Sequence, residues 1–431
     1  MVLAGTNNTT FRDLISSGAE NTSVLDYICA VLIALSPILQ HYKGFYQNAG
    51  FSVMILMAPY LCIKLLIKLS TTGIRGSELL IAAPLVLFQI YRLLDHSISV
   101  GKLLYCIFLL VFFLSCAFGC INLRVVVHAA ALVSCFAGIL LFIQYLLFYG
   151  LHYHLQLVPT SLLLPESDIW ILGAQTGLIG VTGQSNGFYR PSAFFLEPSH
   201  LFIYSFPILC LLLLSPDMKP SRLRMAILVT MGMVLSTSGM GIAIAIGLWA
   251  LYFGLYSSED NRLNTARIQN VFSFRTIFFV VLFLAVAVVA YLKVGFIRNA
   301  VTRIFSVSGD SNSTAIQGRT ARASSLIDQL RGRSMLFGLT EDVSEIHFNL
   351  PGFYSTLYKY GIVGVVLSYL FYILALFRLK GSGFWLAALI ILISFFTAHT
   401  HGTFYMMYFT LLMLSEFSTQ SRKTGGIRIR L

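Results

Sequence analysis

Charge is what this chain has least of. Only 11% of its 431 residues are Asp, Glu, Lys or Arg, against about 25% in ordinary soluble domains. With a mean hydropathy of +0.81, that scarcity excludes a soluble globular fold. Several catalytic signatures are missing as well. There is no Walker A loop, Cys-x-x-Cys pair or Asp-x-Asp pair. Nucleotide hydrolysis and a metal-bound nucleotide-sugar donor therefore have no support. The seven cysteines (Cys29, Cys62, Cys106, Cys116, Cys120, Cys135 and Cys210) fall in or at the ends of apolar segments. None has metal-ligand spacing, so they read as small membrane residues rather than disulfides or zinc ligands. No metal and no cofactor are expected. The first 24 residues are polar and hold no signal-peptide core, so the first span is expected to serve as its own insertion signal.

What the chain has in abundance is apolar runs of membrane-spanning length. They predict an all-α polytopic integral membrane protein of about 12 transmembrane helices. A polar tail, 1–24, precedes five spans within 25–148, at roughly 25–40, 51–69, 77–94, 102–121 and 124–148. A long polar stretch, 149–197, leads into the spans of 198–294. The first of these covers 198–214. The run 225–256 is too long for one helix and is broken at Ser236-Thr-Ser-Gly-Met-Gly241, so it is read as two spans, and a further span covers 276–294. A second long stretch, 295–352, precedes three spans within 353–417, near 353–377, 384–397 and 402–417. A basic tail, 418–431, ends the chain.

Lys219, Arg222, Arg224, Arg262, Arg267, Arg275, Arg378, Lys380 and the tail cations Arg422, Lys423, Arg428 and Arg430 then share one side. By the positive-inside rule that side is cytoplasmic. Both termini are expected there, and the two long loops face outward. The net charge of +12 is explained the same way, so the expected partner is the lipid bilayer and not nucleic acid. Lys64 and Lys68, near a span end, are expected to snorkel to the cytoplasmic face.

The organising stretch is Tyr189–Leu201, YRPSAFFLEPSHL, which places Arg190, Glu197 and His200 within eleven positions where a polar loop re-enters the membrane. Pro198 suits the first helical position. That puts Glu197 at or next to the N-cap, where the helix dipole favours negative charge. Glu-Pro-Ser is also an ordinary helix-start signature. The second loop holds six arginines between residues 298 and 333 (Arg298, Arg303, Arg319, Arg322, Arg331, Arg333) and no lysine. Guanidinium is the group for bidentate recognition of phosphate or carboxylate. Arg319 and Arg322 are spaced to share one helix face, and a solvated face balanced by Glu341, Asp342 and Glu345 is the plainer alternative. His347, followed by Asn349, precedes the next re-entry and is a second candidate base. His399 with His401, and Asp95 with His96, read as interfacial residues, and Trp170 as a sugar-stacking or interfacial ring.

Arg190-Pro-Ser-Ala-Phe-Phe-Leu-Glu-Pro-Ser199 resembles the R-x-x-x-x-F-x-E-P-S pattern of bacterial O-antigen and capsular polysaccharide polymerases (Wzy-type). The likeness extends to the arginine-rich loop ending in Phe337-Gly338, to His347-x-Asn349, and to the Tyr360-Gly-Ile-Val-Gly364 that follows. It covers about residues 185–370. Ser238-Gly239 stands where many relatives carry Ser-Arg, and Phe337-Gly338-Leu339-Thr340 lacks a second glycine.

The resemblance implies a glycosyltransferase-C-like membrane architecture in the bacterial inner membrane, with its active site facing the periplasm. It implies metal-independent transfer of a growing glycan from undecaprenyl diphosphate to the non-reducing end of another lipid-linked repeat unit. Arg190, Arg319 and Arg322 would then bind the diphosphate, with His200 and Asn349 as further substrate contacts. Glu197 and His347 compete for the role of base. A chain-length regulator and a flippase are the expected protein partners. Within the same resemblance stands the O-antigen ligase, which transfers the glycan to lipid A–core. From another class stands a flippase or transporter, against which the loop position of the charges argues.

Overall fold

A helix that is apolar on every face has to be enclosed on every face, and the chain from His200 to Leu214 meets that condition: each of these residues is buried. The computed structural model describes residues 23–46, 48–71, 74–93, 100–155, 157–158, 160–164, 191–215, 220–255, 327, 329–339, 350–397, 403–424 and 428–429. Within them run α1 (Val24–Leu39), α2 (Ala49–Thr71), α3 (Gly76–Leu93), α4 (Val100–Ala117), α5 (Leu123–Leu151), α6 (Pro198–Leu214), α7 (Pro220–Leu235) and α8 (Gly239–Leu255). After them come the short α9 (Arg333–Phe337) and then α10 (Gly352–Arg378), α11 (Ser382–Ser394) and α12 (Thr403–Thr424). The strand content among the described residues is one two-residue pair, β1 (Ile74–Arg75) with β2 (Arg428–Ile429).

The molecule is thus helical, and α2, α5 and α10 are each long and apolar enough to cross a membrane. The helices other than α9 coincide with eleven of the predicted spans. The twelfth, 276–294, lies outside the described residues. The long run 225–256 is indeed two helices. They are antiparallel, because Trp249 Nε1 donates to Thr230 Oγ1 at 2.9 Å across the hairpin. The turn between them, Ser236–Ser238, is buried, and its polar atoms are satisfied locally. Ser236 Oγ donates to Met233 O at 2.8 Å, and Ser238 Oγ accepts from Gly241 N at 3.4 Å.

α6 is surrounded by α5, α7, α8, α11 and α12. α12, buried from Phe404 to Leu414, is the second enclosed helix and runs parallel to α6. The register is set by tyrosines. Tyr405 Oη donates to His200 O at 3.3 Å and Tyr408 Oη to Tyr204 O at 3.0 Å, while the Tyr204 and Tyr408 rings stack at 4.7 Å. Such a ring pair adds about 0.5–1.5 kcal/mol beyond its area. Tyr204 Oη in turn reaches Ala34 O of α1 at 2.8 Å. α5 and α7 are also parallel, fastened by Tyr145 Oη donating to Leu235 O at 2.9 Å. Outside this centre the helices present large exposed apolar side chains, among them Leu56, Leu66, Phe136, Leu146, Val366 and Phe377. In water such a surface would aggregate; against lipid it is the ordinary outer face.

The two lysines of α2 find protein partners near that helix's end. Lys64 forms an ion pair with Asp26, which sits buried at the start of α1, and Lys68 donates to the main-chain carbonyl of Phe118. Each ammonium is held by a neighbouring helix end. Tyr60 Oη donates to Asp26 Oδ1 at 3.0 Å, and Ser23 completes a capping box with Asp26. α12 continues past residue 417 to Thr424. None of the seven cysteines is in a disulfide.

Candidate functional site

Glu197 is the N-cap of α6, with extended backbone (φ −140°, ψ 155°) and Pro198 at the first helical position. This is the place expected for it, yet its carboxylate makes no capping bond. Glu is one methylene too long to fold back onto its own helix as Asp or Ser does. Among the described residues its hydrogen bond is from Ser199 Oγ, at 2.7 Å. The capped work is done by main chain, with His200 N and Leu201 N both donating to Glu197 O. Glu197 is half-buried at the mouth of an otherwise enclosed helix.

One turn deeper, the buried His200 ring lies parallel to the His41 ring, centroids 4.6 Å apart at 6°. The Tyr405 ring stands beside it at 6.3 Å. His41 belongs to the connection between α1 and α2, whose main chain pairs with 160–164. Lys43 N donates to Leu162 O at 2.7 Å and Leu164 N to His41 O at 3.1 Å. Burial pushes the Tyr42 phenol up, so at neutral pH that hydroxyl is a donor. Ile38, His41, Tyr42, Leu163, Phe194 and Phe195 close around a narrow gap that leaves no room for a water molecule. Its walls are apolar apart from the His41 ring and the Tyr42 hydroxyl.

The loop entering α6 is shaped by one amide. Gln144 of α5, buried, accepts from Ala193 N at 3.1 Å and donates to Leu155 O at 2.9 Å. Ala193 takes φ +54°, a left-handed conformation that costs an L-residue about 1–2 kcal/mol. Ser192 Oγ donates to Phe195 O at 2.6 Å and closes the same turn. Gln144 thus holds the turn that aims Glu197 at the bundle's end.

Of the residues picked from the sequence, Glu197 and His200 are described, and they share the first turn of α6. Arg190, Arg319, Arg322, His347 and Asn349 lie outside the described residues, as do Trp170, His399 and His401. The structure adds His41, Tyr405 and Gln144. Their sequence signal was slight: a polar residue at the edge of an apolar run, which reads first as an interface residue.

The second half of the motif set is partly described. Gly352 N donates to Thr397 O at 2.7 Å, so α10 begins where α11 ends. Cys210 of α6 and Ser382 at the start of α11 meet at the opposite end. The two long polar stretches of the sequence therefore re-enter the bundle at one and the same end, at Glu197 and at Gly352. The Phe337-Gly338 turn and the Tyr360-Gly-Ile-Val-Gly364 stretch, separate in sequence, pack on each other: Leu339 N donates to Tyr358 O at 2.9 Å. Tyr91 Oη of α3 donates to Tyr360 O at 2.9 Å, and Phe337 O lies within 3.5 Å of it.

Comparison with family models, with curated proteins and with solved structures returns no match to this chain.

Proposed function

We propose that this chain is a polymerase of undecaprenyl-diphosphate-linked oligosaccharide repeat units, a metal-independent membrane glycosyltransferase whose site is built where its two long polar stretches return to the bundle. The observation that carries the reading is the shared end of Glu197 and Gly352, since a site drawn from both stretches requires it. The chain also leaves α8 at the end opposite to its entry into α10. The predicted span 276–294 supplies the crossing that a count of twelve, with both termini on the cytoplasmic side, requires.

In this reading a hydroxyl of the incoming repeat unit attacks the anomeric carbon of the growing glycan. The bond from that carbon to the diphosphate oxygen breaks, and the electron pair leaves with the lipid diphosphate. Arg190, Arg319 and Arg322 neutralise the developing charge, which a dry site makes more effective. Glu197, half-exposed and spared from capping, accepts the hydroxyl proton, and His347 is the alternative base. Asn349 is read as a further substrate contact, whereas His200, expected as another, is given a positioning role. His200 is itself buried in the first turn of α6 and stacked on His41. Its imidazole therefore acts on the glycan by holding that turn in place.

The experiment is the lipopolysaccharide ladder of a deletion strain complemented with variants. A single repeat unit on the core, restored to a ladder by wild type and not by Glu197→Gln, supports the polymerase. An unsubstituted core indicates the ligase instead, and substrate retained on the cytoplasmic face indicates a flippase.

A further inference from the structure

The segment Leu330–Leu339 is fastened at both ends and bare in the middle. Leu330 is buried with Leu350 and Tyr358, and Leu339 packs against the same cluster. Ser334 Oγ donates to Arg331 O and accepts from Arg331 N, both at 3.0 Å, and Gly338 N closes the turn on Ser334 O at 2.8 Å. Between these anchors Met335, Leu336 and Phe337 are 45%, 47% and 50% exposed, with the exposed Arg331 and Arg333 just before them.

The height of this segment on α10 is informative. α10 has 27 residues and turns at Gly361, so its straight part from Ile362 to Arg378 is about 25 Å long, against a hydrocarbon core of about 30 Å. Its inner limit is marked by Arg378 and Lys380, directly after the exposed Phe377. Tyr358 lies just beyond the turn at Gly361, so it stands at most about 30 Å from Arg378. Tyr358 is the residue whose carbonyl receives Leu339 N. The segment therefore docks at the level where the opposite hydrocarbon boundary falls. Tyr91 and Tyr360 pack together there, and Tyr354 and Tyr358 belong to the cluster that holds Leu330 and Leu350, as aromatic residues gather at membrane interfaces. Just below, Ile362 and Val366 carry the exposed apolar face of α10 onward, so the bare middle of the segment continues a lipid-facing surface.

We propose that Leu330–Leu339 is an interfacial ledge seated in the outer leaflet. Met335, Leu336 and Phe337 enter the acyl-chain boundary, and Arg331 and Arg333 bind phospholipid phosphates above them. Guanidiniums at phosphate level and apolar side chains one turn further on are the two halves of an interfacial anchor. The inference rests on the membrane-spanning reading of α10 and is independent of the glycan chemistry. It gives the second polar stretch a fixed point on the bilayer surface, at the height where a lipid-linked substrate presents its phosphates.

The test is depth-dependent fluorescence quenching of the full-length protein in phosphatidylglycerol-containing proteoliposomes. The emission that Leu336→Trp adds over wild type is read against brominated lipids and against aqueous acrylamide, with Ile373→Trp on the middle of α10 as reference. The ledge requires that lipids brominated near the headgroup remove most of the Leu336→Trp emission and chain-end bromines less, with acrylamide ineffective. Combined Arg331→Gln and Arg333→Gln should then weaken the headgroup-side quenching; unchanged quenching overturns the phosphate contact. Quenching by acrylamide alone shows the segment in water and overturns the ledge, and quenching by neither shows it covered by protein, which overturns it equally. If Ile373→Trp is quenched by lipid while Leu336→Trp is not, the ledge fails and the spanning reading stands. If neither position is quenched by lipid, the spanning reading fails first.

Discussion

Gly338 and Gly361 meet backbone to backbone. A Cβ on Gly338 would strike the main chain at Lys359 and Tyr360, and a Cβ on Gly361 would strike the main chain at Leu336 and Phe337. Both are also in left-handed space, Gly338 at φ 84°, ψ 178° and Gly361 at φ 65°, ψ −167°, a region essentially reserved for glycine. α10 changes direction at Gly361 to receive the Phe337-Gly338 turn, and Tyr91 seals the joint from α3.

Replacing either glycine with alanine should therefore be expensive twice over, in backbone strain of about 1–3 kcal/mol and in lost contact. Gly361→Ala should lower the melting temperature in detergent and make the chain around Phe337 susceptible to limited proteolysis. A variant with wild-type melting and wild-type cleavage would show that the joint is not closed in solution.

The cap geometry separates stability from activity at Glu197. Serine is a better N-cap than glutamate because its shorter side chain reaches the N–H groups of the first turn, worth up to about 1 kcal/mol. Glu197→Ser should thus melt at or above the wild-type temperature while abolishing the polysaccharide ladder. A stable and active Glu197→Ser protein would reduce Glu197 to a helix start and move the base elsewhere.

Gln144 is predicted to act on the site through Ala193. Gln144→Leu leaves Ala193 N and Leu155 O without the partner they share, at about 1–3 kcal/mol for the buried Ala193 N–H left unmet. The melting temperature should fall, and Ala193→Gly, which removes the strain at φ +54°, should recover part of the loss in the double variant. No recovery would mean that the amide's role is packing alone.

The ion pair of Lys64 and Asp26 allows a sign test. Asp26 is 4% exposed and Lys64 32%, so Lys64→Met strands a buried carboxylate while water partly compensates. A loss of about 2–3 kcal/mol is expected, below the range for a fully buried pair. Adding Asp26→Asn should restore stability toward wild type, and a double variant no better than Lys64→Met would show that the pair contributes nothing beyond volume.

Much of this was legible in the residues. Ser236–Gly241 marked the break that makes α7 and α8 a hairpin, because small polar residues cannot continue a lipid-facing helix of that length. Pro198 located the start of α6 and made Glu197 its N-cap, because proline's fixed φ and missing N–H suit only that end of a helix. The Phe337-Gly338 and Tyr360-Gly361 pairs were visible as separate punctuation, but not as halves of one joint.

Hydropathy by itself determined which segments leave water, and only the tertiary structure decided what they leave it for. Lipid tails are as apolar as a leucine side chain, so α6, enclosed by protein along its whole length, and α2, whose outer face is bare, produce the same kind of apolar run. The partners of polar residues inside those runs were undetermined for the same reason. Lys64 finds Asp26 across 38 positions, and His200 finds His41 across a whole subset of helices. Such pairings depend on which helices become neighbours, and that is settled by packing of close-fitting surfaces such as the Tyr204–Tyr408 stack, which no local pattern records.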